Sequence, residues 1–130
     1  MDLHLKGKKV FISGSTKGIG FETARLFLEE GATVIINGRT KKSVESALSS
    51  LNSDNVSGLV ADFLKDSQVE TLIDHIPNDI DILVNNVGIF RGKEFKDETV
   101  DDWNDHFKVN LMSGVQLSKH FLPEMIKRNW

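Results

Sequence analysis

The chain has 130 residues, one domain's length, with 16 Lys and Arg against 19 Asp and Glu and a formal net charge of -3. Such a chain buries about two thirds of its unfolded surface, and its interspersed charges leave no basic stripe for nucleic acid. It has no cysteine, hence no disulfide framework, thiolate nucleophile or zinc cluster, and no apolar stretch approaches the ~20 residues that cross a bilayer.

Lys6, Lys8 and Lys9 precede only the short apolar run Val10-Phe11-Ile12, too short for a secretory leader, so a cytoplasmic location is expected. The four histidines are scattered without a tight pair of ligands, and no metal site is expected.

Val10-Phe11-Ile12 reads as a short buried strand. Ser13-Gly14-Ser15-Thr16-Lys17-Gly18-Ile19-Gly20 follows, then an amphipathic helix from Phe21 to Glu30 that Gly31 stops. Strand, glycine turn and helix in that order form a cradle for a dinucleotide pyrophosphate. Gly14 allows the tight turn, Gly18 lets backbone approach the phosphates, and Gly20 lets helix and strand pack closely. The N–H groups at the helix start then face the negative charge. No Gly-Lys-Ser/Thr ends the motif, which excludes a P-loop.

Residues 32–36 are β-branched and apolar and form the second strand. Thr40 caps the next helix, where Val44, Ala47, Leu48 and Leu51 share one face. Residues 56–61 make a third strand. Asp66 is expected to cap a third helix with Val69, Leu72, Ile73 and Ile76 inward, ended by Pro77. Residues 80–84 form a fourth strand. A loop rich in glycine and charge, 88–98, leads to a long helix over about 99–127, and residues 125–130 read as the lead-in to a fifth strand.

Near-continuous apolar strands separated by helical crossovers predict an α/β domain over residues 1–130, a doubly wound parallel sheet covered on both faces. Right-handed crossovers and a switch point at the first strand give the order 3-2-1-4. Such sheets bind ligands beyond the carboxyl ends of their strands. Gly14, Arg39, Asp62 and Asn86 all fall there.

Three motifs in this order, Ser13 to Gly20, Asn85-Asn86-Val87-Gly88 after the fourth strand, and Asn110 within Val109-Asn110-Leu111, resemble the short-chain dehydrogenase/reductase family along the whole chain. Ser13 stands where that family usually has threonine, and Val87 where it has alanine. The resemblance implies a partial Rossmann fold in which Gly14, Ser15, Thr16, Lys17, Gly18, Ile19 and Gly20 line the phosphate-holding turn. It implies that Asp62 accepts a hydrogen bond from the adenine amino group, with Phe63 beside the ring; a helix or turn cap is the other reading of Asp62. Asn86 and Gly88 would contact the ribose nearer the nicotinamide. Asn85 would join them or brace the backbone between strands.

Enzymes that select NAD hold the adenosine ribose with a carboxylate at the end of strand two. Gly38 occupies that place here, followed by Arg39, whose planar donor fork suits phosphate oxygens, and by Thr40. Lys17 adds a second positive charge. NADP(H) is therefore expected over NAD(H), the other reading being a solvated Arg-Thr-Lys-Lys helix start.

The family implies hydride transfer between nicotinamide C4 and a carbonyl or alcohol carbon. A tyrosine passes the proton, a lysine four residues later lowers its pKa, a serine polarises the carbonyl, and an asparagine steadies a water. Asn110 alone has a counterpart; the chain contains no tyrosine, and Ser113 and Ser118 lie on the long helix. The expectation is thus an N-terminal, cofactor-binding portion of an NADP-dependent oxidoreductase, inactive by itself. A non-catalytic dinucleotide-binding module or sensor is the alternative, and a scaffold with a vestigial site a third. The expected partners are a small carbonyl or alcohol substrate and a second copy, with neither nucleic acid nor membrane. Trp103, Phe107, Leu111, Val115, Leu122 and Met125 form a stripe on the long helix that would make a homodimer or homotetramer.

Overall fold

A computed structural model of the chain describes residues 2–129. Lys9–Ile12 (β1) lies at the centre of a parallel sheet, between Thr33–Gly38 (β2) and Ile82–Val84 (β4). Val56–Val60 (β3) pairs with the far side of β2, giving the order β3-β2-β1-β4. This is the expected order. Each parallel pairing requires a crossover, and the helices supply them: Gly18–Glu29 (α1), Lys41–Leu51 (α2) and Asp66–His75 (α3).

Side chains alternate across the strands, so two cores form. Val10, Ile12, Val34 and Ile36 point to one face, where Ala24 of α1 and Ala47 of α2 cover them. Phe11 and Ile35 point to the other, under Val69 and Leu72 of α3 and Leu117 and Phe121 of the long helix. Phe11 and Phe121 are fully enclosed, and each such side chain contributes about 1.5–3 kcal/mol of transfer free energy.

Several boundaries differ from the sequence reading. α1 begins at Gly18, three residues early, after Lys17 in an extended conformation that supplies no side-chain cap. Thr40 caps α2 as expected, its hydroxyl accepting from Ser43 N–H at 3.2 Å. Asp66 does not cap α3; it is the first helical residue, and it pairs with Lys108 at 2.8 Å. A carboxylate is also favoured in a first helical turn by the helix dipole.

The long helix has three parts: Val100–His106 (α4), a π-helical stretch Phe107–Met112, and Ser113–Arg128 (α5). Thr99 and Asp102 close a reciprocal capping box at its start. Residues 125–128, expected to lead into a strand, continue the helix. Asn129 ends it in the left-handed region at φ 52°, and Trp130 lies outside the described residues. β4 pairs only with β1 and its residues are half-buried, leaving an open sheet edge among the described residues.

Candidate functional site

The turn after β1 is braced from two neighbouring strands. Ser13 Oγ accepts from the N–H groups of Asn86 and Val87 at 3.0 and 3.1 Å, joining the ends of β1 and β4. Gly14 N–H donates to Asn37 Oδ1 at 3.0 Å, and Ser15 N–H donates to Asn37 C=O at 2.8 Å, joining β1 to β2. Gly14 and Gly18 have φ of 62° and 60°, the left-handed region that costs other residues roughly 1–2 kcal/mol.

Two residues of the turn have other duties than those expected. Ser15 is fully buried; its hydroxyl donates to Ile12 C=O at 2.6 Å and accepts from Asn37 N–H at 3.0 Å. Its side chain closes the turn and cannot line a cofactor surface. Gly14 N–H is likewise taken by Asn37. The first amides of α1, from Gly18 onward, have no intrahelical partner and no side-chain cap. Open space lies over Gly18, and Thr16, Lys17 and Ile19 surround it at the surface. Ile19 is 82% exposed.

Gly20 sits where α1 crosses the turn. A Cβ there would lie 2.9 Å from Gly14 C=O oxygen and from Ser15 Cα, and would collide with the Asn86 amide. That amide donates to the carbonyls of Ser13 and Gly14 at 3.0 and 2.9 Å. Asn86 therefore holds the turn with its NH₂ group. Gly88 is exposed two residues on.

At the end of β2, Gly38 is buried, and a side chain there would run into the Thr16 methyl and approach Ser43 Oγ to 3.0 Å. The glycine turn thus lies against the start of α2. Arg39 and Thr40 are exposed beside it. At the end of β3, Asp62 Oδ1 accepts from Leu64 N–H at 3.0 Å, the turn-capping alternative, while its second oxygen takes no part in that bond. Phe63 corrects an expectation. It is 3% exposed and packed in the α3-side core, so its ring cannot flank an adenine.

Asn110 lies on the π-helical stretch. Its Oδ1 accepts from Ile89 N–H at 2.7 Å and its Nδ2 donates to Ile89 C=O at 2.9 Å. The side chain thereby places residues 88–90, and its second amide N–H and second oxygen lone pair take no part in these two bonds. Farther along, Arg91 bonds Asp105 at 2.8 Å and Lys93 bonds Asp102 at 2.7 Å. The bond from Lys93, with those from the Thr99 N–H and hydroxyl, holds the Asp102 carboxyl well below the usual carboxylate range. Asn85 donates to Ser118 Oγ at 3.1 Å, which ties β4 to α5 and not to a neighbouring strand.

Asn37 is the residue the sequence reading missed. The signal was an amide ending the apolar run of β2 directly before a glycine.

The turn, the Asn86 brace and the Asn110 clamp sit together at the carboxyl ends of the strands, and residues 8–130 match the family model for short chain dehydrogenases. The chain belongs to the short-chain dehydrogenase family. It is 47% identical to the uncharacterized oxidoreductase YvrD of Bacillus subtilis, over 99% of this chain and 50% of that protein. It is 34% identical to the 3-oxoacyl-[acyl-carrier-protein] reductase FabG of Aquifex aeolicus, over 100% of this chain and 55% of the reductase. Among solved structures, the L-sorbose reductase of Gluconobacter frateurii, complexed with NADPH and L-sorbose, superposes with a TM-score of 0.88 at 27% identity. That match covers 98% of this chain and 51% of the reductase. The chain thus spans about half the length of the relatives it matches. Among the described residues no helix is long and apolar enough to cross a membrane.

Proposed function

We propose that this chain is the cofactor-binding portion of an NADP(H)-dependent oxidoreductase acting on a small carbonyl or alcohol substrate. The observation that carries the reading is the end of β2. Gly38 is enclosed by Thr16, Ser43 and Val44, so a carboxylate there would have to displace them, and exposed Arg39 and Thr40 follow with Lys17 across the turn. These groups suit a 2′-phosphate: the Arg39 fork and the Lys17 ammonium for charge, the Thr40 hydroxyl for a further hydrogen bond. The uncapped amides from Gly18 to Gly20 fit the pyrophosphate. Asp62 offers its second oxygen to the adenine amino group, and Asn86 and Gly88 flank the nicotinamide ribose.

A nicotinamide bound there supplies or accepts a hydride at its C4, matched by a carbonyl or alcohol carbon of the substrate. Asn110 serves this by fixing Ile89, and with it the wall of the cleft beyond Gly88. With no tyrosine among its 130 residues, this chain has no phenol to move the substrate's proton, and we expect it to show no turnover by itself. The exposed stripe of Trp103, Phe107, Leu111, Val115 and Leu122 supports a homodimer or homotetramer through the long helix. Ile126, and not Met125, continues it: Met125 packs against the core.

The test is a pair of titrations with NADPH and NADH. A charged hydrogen bond to phosphate contributes about 1.5–3 kcal/mol, roughly ten- to a hundredfold in affinity. The unmodified chain should prefer NADPH by that factor, and Arg39→Ala should lose most of the preference. Equal affinities in the unmodified chain contradict the reading. Tight binding with no preference would keep the dinucleotide site and remove the 2′-phosphate assignment at Arg39.

A further inference from the structure

Asn37 ends the apolar run of β2 and is 1% exposed. A buried amide is unfavourable unless its polar atoms are bonded, and here all are engaged. Oδ1 accepts from Gly14 N–H at 3.0 Å, and Nδ2 donates to the carbonyls of Leu59 and Ala61 at 3.3 and 3.4 Å. Its main chain adds two bonds to Ser15. One residue therefore joins the glycine turn after β1 to the ends of β2 and β3, directly before Arg39 and Asp62.

Few side chains can do this. An amide presents an acceptor and two donors on one plane. An aspartate would turn an oxygen toward two carbonyls, and an alanine would leave Gly14 N–H without its partner.

We propose that Asn37 is a positioning residue of the dinucleotide site, setting the phosphate-binding amides in register with the strand ends that hold the adenosine. The inference rests on the nicotinamide-dinucleotide reading above and adds a division of labour. Gly14 N–H belongs to Asn37, and the phosphates are held by the amides from Gly18 onward. Without the amide, residues 13–17 shift against β2. A ligand spanning both ends of the cleft then loses affinity, whereas one confined to the adenosine end does not.

Isothermal titration of the full chain, Asn37→Ala and Asn37→Asp with NADPH and with adenosine, which carries no phosphate, separates the cases. The variants should bind NADPH about tenfold more weakly, the effect of one lost buried hydrogen bond, and adenosine within about threefold of the unmodified chain. Equal losses for both ligands, or unchanged NADPH affinity with only a lowered Tm, make Asn37 a purely structural residue and overturn the proposal. A second arm needs no variant. In ¹⁵N spectra of the unmodified chain, the Gly14 amide should resist exchange and stay unshifted on NADPH addition, while the Gly18 and Ile19 amides shift. A freely exchanging Gly14 amide, or one that moves with Ile19, overturns the proposal as well. If the unmodified chain does not bind NADPH, the dinucleotide reading fails and takes this one with it; normal binding with indifferent variants defeats this one alone.

Discussion

Asn110 grips both polar atoms of Ile89, accepting from its N–H at 2.7 Å and donating to its C=O at 2.9 Å. A side chain on a helix thereby replaces the missing strand partner of a loop residue, at the point where the chain leaves β4. The π-helical stretch Phe107–Met112 carries Asn110, in keeping with the frequency of such widened turns at functional sites.

Asn110→Ala should therefore loosen residues 88–90 and leave the sheet intact. Two partly solvated bonds are lost, together worth about 1–2 kcal/mol. Amide exchange at Ile89 should accelerate, with Val10 to Ile12 in β1 unchanged. Uniform acceleration across the sheet would show that the clamp serves the whole fold.

Gly20→Ala and Gly18→Ala should fail in different ways. At Gly20 a Cβ meets the Gly14 carbonyl, Ser15 Cα and the Asn86 amide, and overpacking of this kind costs about 1–3 kcal/mol. The better helix propensity of alanine returns at most about 1 kcal/mol. At Gly18 the Cβ meets nothing, and only the positive φ opposes it, at roughly 1–2 kcal/mol. Thermal melts should show both variants destabilised, Gly18→Ala by roughly 1–2 kcal/mol, while NADPH titration shows the larger loss for Gly18→Ala. Wild-type phosphate affinity in Gly18→Ala would contradict the placement of the pyrophosphate.

The sequence conveyed the sheet order and the two-faced core, because strand alternation and helix periodicity both depend on residue spacing alone. Thr40 was legible for the same reason: a capping hydroxyl acts three residues from itself. Asn37, Ser15 and Phe63 were not. Their roles depend on which strand end lies across from them, so Asn37 drew no reading of its own and Phe63 read as a ring beside adenine. The π-helical stretch Phe107–Met112 was equally hidden.

Asp102 predicts a pH dependence. Bonds from Lys93 and Thr99 lower its folded pKa below the unfolded value near 3.9. Its contribution is complete above that value and is lost as pH falls through the lower folded pKa. Acid titration should show stability declining below about pH 4, with release of the 91–99 segment, and Asp102→Asn should flatten that limb. An unaltered acid limb in the variant would assign the loss to other carboxylates.

The apolar stripe of the long helix predicts self-association. Trp103, Phe107 and Leu111 are each more than half exposed, a patch of the kind that marks an interface. Phe107→Asp should convert a dimer or tetramer to monomer in sedimentation velocity without lowering NADPH affinity. A monomer in the unmodified chain at tens of micromolar would contradict the assembly.

The most direct measurement is a crystal structure of the chain grown with NADPH. The account predicts the pyrophosphate on the amides following Lys17, the 2′-phosphate within hydrogen-bond distance of Arg39, and Gly14 N–H still on Asn37. Nucleotide bound elsewhere, or a 2′-phosphate turned away from Arg39 into solvent, would contradict it.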